Sequence, residues 1–181
     1  MNQDKSYTRS MLVGAAGGLV GLVVMGWVMK ASQRVLPKPS EEEPEDEGAE
    51  NGESISVVGK HYRDGEPATA ALGRLFYSRV AGHVPAKKTE ERLSNAVHWS
   101  YGLGVATLYA ALKPARLPGW QSGLLFGLGL WAVGDELMVP LLGLSKGPQA
   151  HPLSTHASAL LGHLAYGAAV GATVDAIEGR L

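Results

Sequence analysis

The chain has 181 residues, 16 Lys and Arg against 17 Asp and Glu, a net charge of −1, 24 glycines and no cysteine. With no basic excess to neutralise phosphates, a nucleic-acid partner is excluded; without cysteine, so are disulfides, thiolate nucleophiles and Cys-based metal or cluster sites. The glycines follow no three-residue period, which excludes collagen, and the mean hydropathy of +0.01 averages long apolar blocks with one acidic run.

Residues 1–10 read as a polar leader with Lys5 and Arg9. Met11 to Met29 is then an uncharged apolar run of 19 residues, close to the roughly 20 that cross the hydrocarbon at 1.5 Å rise. The basic start resembles a signal peptide. The apolar body is too long for one, and no small-residue cleavage pattern follows, so 11–30 reads as a retained first transmembrane helix. Within it Gly14, Gly17, Gly18 and Gly21 form overlapping Gly-x-x-x-Gly pairs on one face, the pattern for close helix packing in lipid. No strand precedes these glycines, so they are not a dinucleotide loop.

Residues 31–65 read as a linker. A basic exit closed by Pro37 and Pro39 leads into SEEEPEDEGAENGES at 40–54, with eight acids and no aliphatic side chain larger than alanine. Such a segment cannot bury enough surface to fold and is expected to be disordered. Residues 66–82 change character: Pro67 suits a first helical turn, Ala68, Leu72, Leu75, Phe76 and Val80 share a face, and Gly82 ends the helix. An amphipathic helix of this kind lies in the membrane interface or packs on the extramembrane ends of other helices. Thr89 caps the next helix, with Glu90 and Glu91 at its positive end, and 89–113 reads as a second, more polar span. A basic turn from Lys113 to Arg116 enters the third span, 119–144, where Gly123 and Gly127 repeat the one-turn spacing. Gly134 and Pro140 flank Asp135 and Glu136 and predict a break near 134–140. A link containing Pro148 and Pro152 precedes the fourth span, 155–177. The sequence thus predicts an all-α integral membrane protein of four transmembrane helices in two repeated hairpins, with an interfacial amphipathic helix and a disordered acidic linker.

The repeat rests on short phrases. His98-Trp-Ser-Tyr101-Gly102 in the second span is echoed by His163-Leu-Ala-Tyr166-Gly167 in the fourth, and each reaches an Ala-Thr pair, at 106–107 and 172–173. Two hairpins with even numbers of crossings would share one orientation, a parallel repeat.

The segment Trp131-Ala-Val-Gly-Asp-Glu-Leu-Met-Val-Pro-Leu-Leu-Gly-Leu, followed by Pro148, His156 and His163-Leu-Ala-Tyr-Gly, resembles the YagU-like family of bacterial inner-membrane proteins. Gly26-Trp-Val-Met-Lys, Ala96-Val-His-Trp-Ser-Tyr-Gly and residues 58–92 are similar to members of it as well. The resemblance covers most of the chain outside the acidic linker. It implies a multi-pass inner-membrane protein with no established biochemical activity and a contribution to acid or envelope-stress tolerance. It carries no catalytic or binding residues across.

Seven side chains stand out as a candidate buried polar network: His98, Tyr101, Asp135, Glu136, His156, His163 and Tyr166. Ionisable groups at membrane depth are costly and ask for partners. His98 and Tyr101, like His163 and Tyr166, are three residues apart and share a helix face. The two stripes are expected to face each other and one of the acids. Such a network serves as hydrogen-bonded glue between helices, as a proton path or pH-responsive element, or as a metal site completed from two helices. His156 and His163, two turns or roughly 10 Å apart, cannot chelate one ion alone. Ser100, Ser122 and Ser158 lack a nucleophile-elbow context, and there is no phosphate-binding Gly-Lys-Ser/Thr. The chain is therefore expected not to be an enzyme and to carry no cofactor. The partners it suggests are the lipid bilayer and a second copy of itself, through its Gly-rich helices.

Overall fold

The computed structural model describes residues 2–36, 55–113 and 117–179. Among these the chain is all-helical, without a strand. In order come α1 (Asn2–Val35), α2 (Ala68–Ala81), α3 (Lys87–Leu112), α4 (Gly119–Gly129), a π-helical stretch (Leu130–Met138) closed by the α-turn α5 (Val139–Leu141), a 3₁₀ turn (Pro148–Ala150) and α6 (Leu153–Glu178). Three helical segments are long and apolar enough to cross a membrane: Thr8–Val35, Gly119–Leu141 and Leu153–Glu178. Helix α3 has a comparable length, 26 residues, but Asn95, His98, Ser100 and two tyrosines within its uncharged part make it less apolar, and it is not one of the three.

The contacts divide the chain into two compact units. The first holds α1, Tyr101–Leu112 of α3, α4 and α6. Its core comprises Val13, Leu22 and Met25 from α1, Ala106, Tyr109 and Ala110 from α3, and Tyr166, Val170 and Val174 from α6. Helix α6 is the shared member, packed against both α1 and α4.

Glycine sets how close those helices come. Along α4, Gly119, Gly123 and Gly127 lie against the backbone carbonyls of Gly171, Gly167 and His163 on antiparallel α6. A Cβ at any of the three would fall inside the van der Waals radius of that oxygen. The reverse also holds, since Gly167 and Gly171 face the carbonyls of Gly123 and Gly119. Against α1, Gly14 fits over the backbone of Thr107, and Gly17 and Gly21 receive Val170, Val174 and Tyr166. Gly18 lies against Leu103 and Ala106. With apolar lipid on the outside, packing of this closeness replaces the hydrophobic drive available in water.

The second unit, within 55–100 and 132–152, holds α2, the first half of α3 and most of the π-helical segment. Helix α2 starts at Pro67, whose carbonyl accepts from the N–H groups of Ala70 and Ala71, and stops at Gly82 in the left-handed conformation (φ 75°). Helix α3 begins two residues earlier than Thr89, because the carbonyl of Ala86, just after Pro85, accepts from Thr89 and Glu90. The small face of α2 packs on α3: Ala71 is buried, Gly73 sits against Leu93, and the hydroxyls of Thr69 and Ser94 are 2.8 Å apart.

The third apolar helix corrects two sequence expectations. It does not break at 134–140. It widens into a π register from Leu130 to Met138 and continues through Pro140. Proline cannot donate to the ladder, and its ring collides with the carbonyl four residues back, so a wider register upstream relieves both faults. The helix ends in a Schellman turn, with Gly143 (φ 65°) donating to Pro140 and buried Leu144 donating to Val139.

The second correction concerns the linker expected over 31–65. Helix α1 runs on to Val35, and residues 55–65 are ordered; the acidic run at 40–54 lies outside the described residues. Terminating a helix orphans its last carbonyls. Here Val57 N–H donates to Leu141 O at 3.1 Å, and His61 N–H to Gly143 O at 2.8 Å. Glu66 then fastens this segment to α2, accepting from Arg74 Nε and Nη2 at 2.8 Å each and from Arg63 N–H at 2.9 Å.

Candidate functional site

Of the seven side chains expected in one buried network, Tyr166 alone is buried. Its hydroxyl donates to the carbonyl of Gly102 on α3. Tyr101, its counterpart in the repeated phrase, is 52% exposed against 2% for Tyr166. The reason is packing: Gly102 is needed against Leu22 of α1, and the preceding residue points about 100° away around the helix. The two phrases therefore occupy unlike environments. His98 and Asp135 are also exposed, while Glu136, His156 and His163 are half-buried. His163 Nδ1 lies 2.9 Å from the carbonyl of Ala159 one turn back, a bond within its own helix. None of His98, Tyr101, Asp135, Glu136, His156 and His163 is without a partner.

A concentrated cluster of buried polar groups lies elsewhere, at the end of the first unit where α3 stops, α4 starts and α6 ends. Lys113 Nζ donates to Asp175 Oδ1 and stands 3.1 Å from Glu178 Oε2, with the Lys113 and Asp175 side chains almost wholly buried. The other oxygen of Asp175 accepts from the N–H of Gly119, the first residue of α4. Beside it, Tyr109 Oη lies 2.6 Å from Ser122 Oγ and donates to Gly119 O at 3.1 Å. Ser122 in turn donates to the same carbonyl at 3.1 Å. Five residues on three helices, with Lys113 just past the end of α3, thus close one cluster. At the other end of α6, the hydroxyls of Ser32 and Ser158 meet at 2.7 Å and join α1 to α6.

Each part has an electrostatic reason. The first N–H groups of a helix are unpaired and carry the positive end of its dipole, so a carboxylate placed there is stabilised. A buried carboxylate also needs a counter-ion, which Lys113 provides. Asp175 and Glu178, three residues apart, share the α6 face that meets it. The sequence held a usable indication of this, an acid near the end of an apolar span and a lysine at the turn between two others. Their meeting depends on which helices are neighbours, which the sequence did not disclose.

A chain whose described residues are all-helical, with three helices long and apolar enough to span a bilayer and with buried polar groups joining helix to helix, has the character of a membrane protein. Comparison with protein-family models, with curated proteins and with solved structures found no match.

Proposed function

We propose that this chain is a non-enzymatic, four-span protein of the bacterial inner membrane, whose interior polar groups hold the bundle together. The role in acid or envelope-stress tolerance is the one that the YagU-like resemblance implies. The observation that carries the reading is the state of the buried polar groups: Tyr109, Ser122, Lys113, Asp175 and Tyr166 are each engaged by another helix or its backbone. Helix α3 counts as the fourth span, because its 26 residues reach about 39 Å at 1.5 Å per residue and its buried Gly102, Ala106, Tyr109 and Ala110 form one face.

One observation favours a second reading, a proton-linked transporter or small channel subunit. The π-helical stretch carries Asp135 and Glu136 within a membrane-length helix, and π segments recur at functional sites. Proton flux into liposomes holding the purified full chain separates the two. The structural reading expects no flux above empty liposomes, and loss of folded protein in Lys113→Met. Flux that disappears in folded Asp135→Asn or Glu136→Gln overturns it in favour of the proton pathway.

A further inference from the structure

Helix α2 packs by its small residues, with Leu75 half-buried, and leaves three of its large apolar residues outside. Leu72, Phe76 and Val80, at i, i+4 and i+8, are 45%, 69% and 74% exposed, and Val84 just past the helix continues the ridge. The opposite arrangement is the rule for a helix bathed in water, whose apolar stripe turns inward. Two further facts say what meets this ridge. The first is position. Arg74 of α2 donates to the carbonyl of His61 at 2.6 Å, and the N–H of His61 donates to the carbonyl of Gly143. One residue therefore bridges α2 to the turn that ends the membrane-length helix Gly119–Leu141, which puts α2 at the depth where that helix leaves the hydrocarbon. The second is charge. From Pro67 to Thr89 there is no acidic residue, while Arg79, Lys87 and Lys88 are exposed.

We propose that α2 is a lipid-binding helix specific for anionic headgroups, with Leu72, Phe76 and Val80 entering the acyl region of one leaflet and Arg79, Lys87 and Lys88 meeting lipid phosphates. Amphipathic helices with an apolar ridge and basic flanks insert about 5–10 Å into this boundary. Each cation near an anionic surface favours the inserted state by a factor on the order of five. The inference goes beyond the proposed function, because α2 could engage lipid whether the bundle is structural or conducts protons.

The chain has no cysteine, so a single introduced thiol reports one site. Full-length Phe76→Cys, carrying a small environment-sensitive fluorophore, is reconstituted into vesicles of phosphatidylcholine with or without phosphatidylglycerol. Val80→Cys serves as a second reporter. The expected result is quenching by lipids spin-labelled high on the acyl chain and protection from aqueous iodide when phosphatidylglycerol is present. Lys87→Gln with Lys88→Gln should then lower the ratio of inserted to free label by on the order of five-fold per cation. Equal iodide quenching in both lipids overturns the proposal by placing the ridge in water. Protection from both quenchers that rises with the protein-to-lipid ratio overturns it in favour of a second copy. Lipid quenching indifferent to phosphatidylglycerol and to the lysines overturns the anionic assignment.

Discussion

Replacing Gly123 by alanine tests whether backbone contact between α4 and α6 holds the first unit together. The new methyl would land on the carbonyl oxygen of Gly167, with the carbonyl carbon and the Cα of Ala168 directly behind it. These are backbone atoms in the middle of a helix and cannot swing aside. Restoring an ordinary carbon–oxygen separation requires the two axes to part by on the order of 1 Å, which forfeits a large part of the dispersion energy along the contact. Overpacking of this kind costs about 1–3 kcal/mol. Alanine also returns roughly 0.8–1 kcal/mol of helix propensity over glycine, so the net loss should fall near the lower part of that range. Gly104→Ala is the matched control: nothing lies within 4 Å of its would-be Cβ, and the propensity gain stands alone. Tryptophan-fluorescence unfolding in detergent measures both, since the chain holds four Trp. The expected order of stability is Gly104→Ala at or above wild type, then wild type, then Gly123→Ala. A Gly123→Ala protein as stable as Gly104→Ala would refute the backbone-contact account.

Lys113→Met removes the cation shared by Asp175 and Glu178 and is expected to cost about 3–5 kcal/mol. Asp175→Asn should cost less, because Lys113 keeps Glu178 at 3.1 Å; the reverse order in the same unfolding assay would contradict the geometry. Tyr166→Phe deletes one interhelical bond to Gly102 while leaving the ring in place, a loss of roughly 0.6 kcal/mol by the measured average for such bonds, and a loss several times larger would mean that the hydroxyl does more than this bond. The Glu66 carboxyl is held below its ordinary value first by its hydrogen-bonded ion pair with Arg74, then by the Arg63 N–H, against the opposing effect of burial. A depressed carboxyl contributes stability that is present above the unfolded value, about 4.3, and is lost as pH falls through the folded one. The protection of α2 against hydrogen exchange, referred to the intrinsic rate at each pH, should therefore fall below about pH 4.3, and Glu66→Gln should abolish that change. Protection in the Gln variant that still falls over this range would assign the change to another group.

Apolar runs, prolines and glycines made the helical segments legible. The 3.6-residue pattern and Gly82 placed α2, and the Gly-x-x-x-Gly spacing marked faces that meet other helices. Which backbone each glycine would meet was not legible, because spacing describes one helix and a contact needs two. The ordering of residues 55–61 was hidden for a related reason. That segment is held by carbonyls at Leu141 and Gly143, more than eighty positions further along the chain, and nothing in its own composition anticipates them. Histidine and tyrosine recurring on one face suggested burial, yet Gly102 was the residue that the neighbouring helix required, and Tyr101 was turned outward. Asp175 drew no attention because it falls near the end of its span, where an acid usually meets water. Instead it meets Lys113 and the start of α4.

The glycine contact between α4 and α6 is degenerate in one respect, and this gives Asp175 a second consequence. In the observed register Gly119, Gly123 and Gly127 face Gly171, Gly167 and His163. Sliding one helix by four residues would set Gly123 against Gly171 and Gly127 against Gly167, two glycine pairs again. Close packing alone therefore distinguishes the registers weakly. The bond from the Gly119 N–H to Asp175, with the Lys113 ion pair behind it, is made in the observed register, where Asp175 lies one turn past Gly171, the residue that faces Gly119; specifying register is the best-attested use of a buried polar group. Asp175→Ala should accordingly populate the slipped register. Spin labels at the exposed positions Leu125 and Leu161 would then show a second distance, offset by the rise of four residues, about 6 Å. A single unchanged distance in a folded Asp175→Ala protein would mean that side chains around the glycines, and not the carboxylate, choose the register.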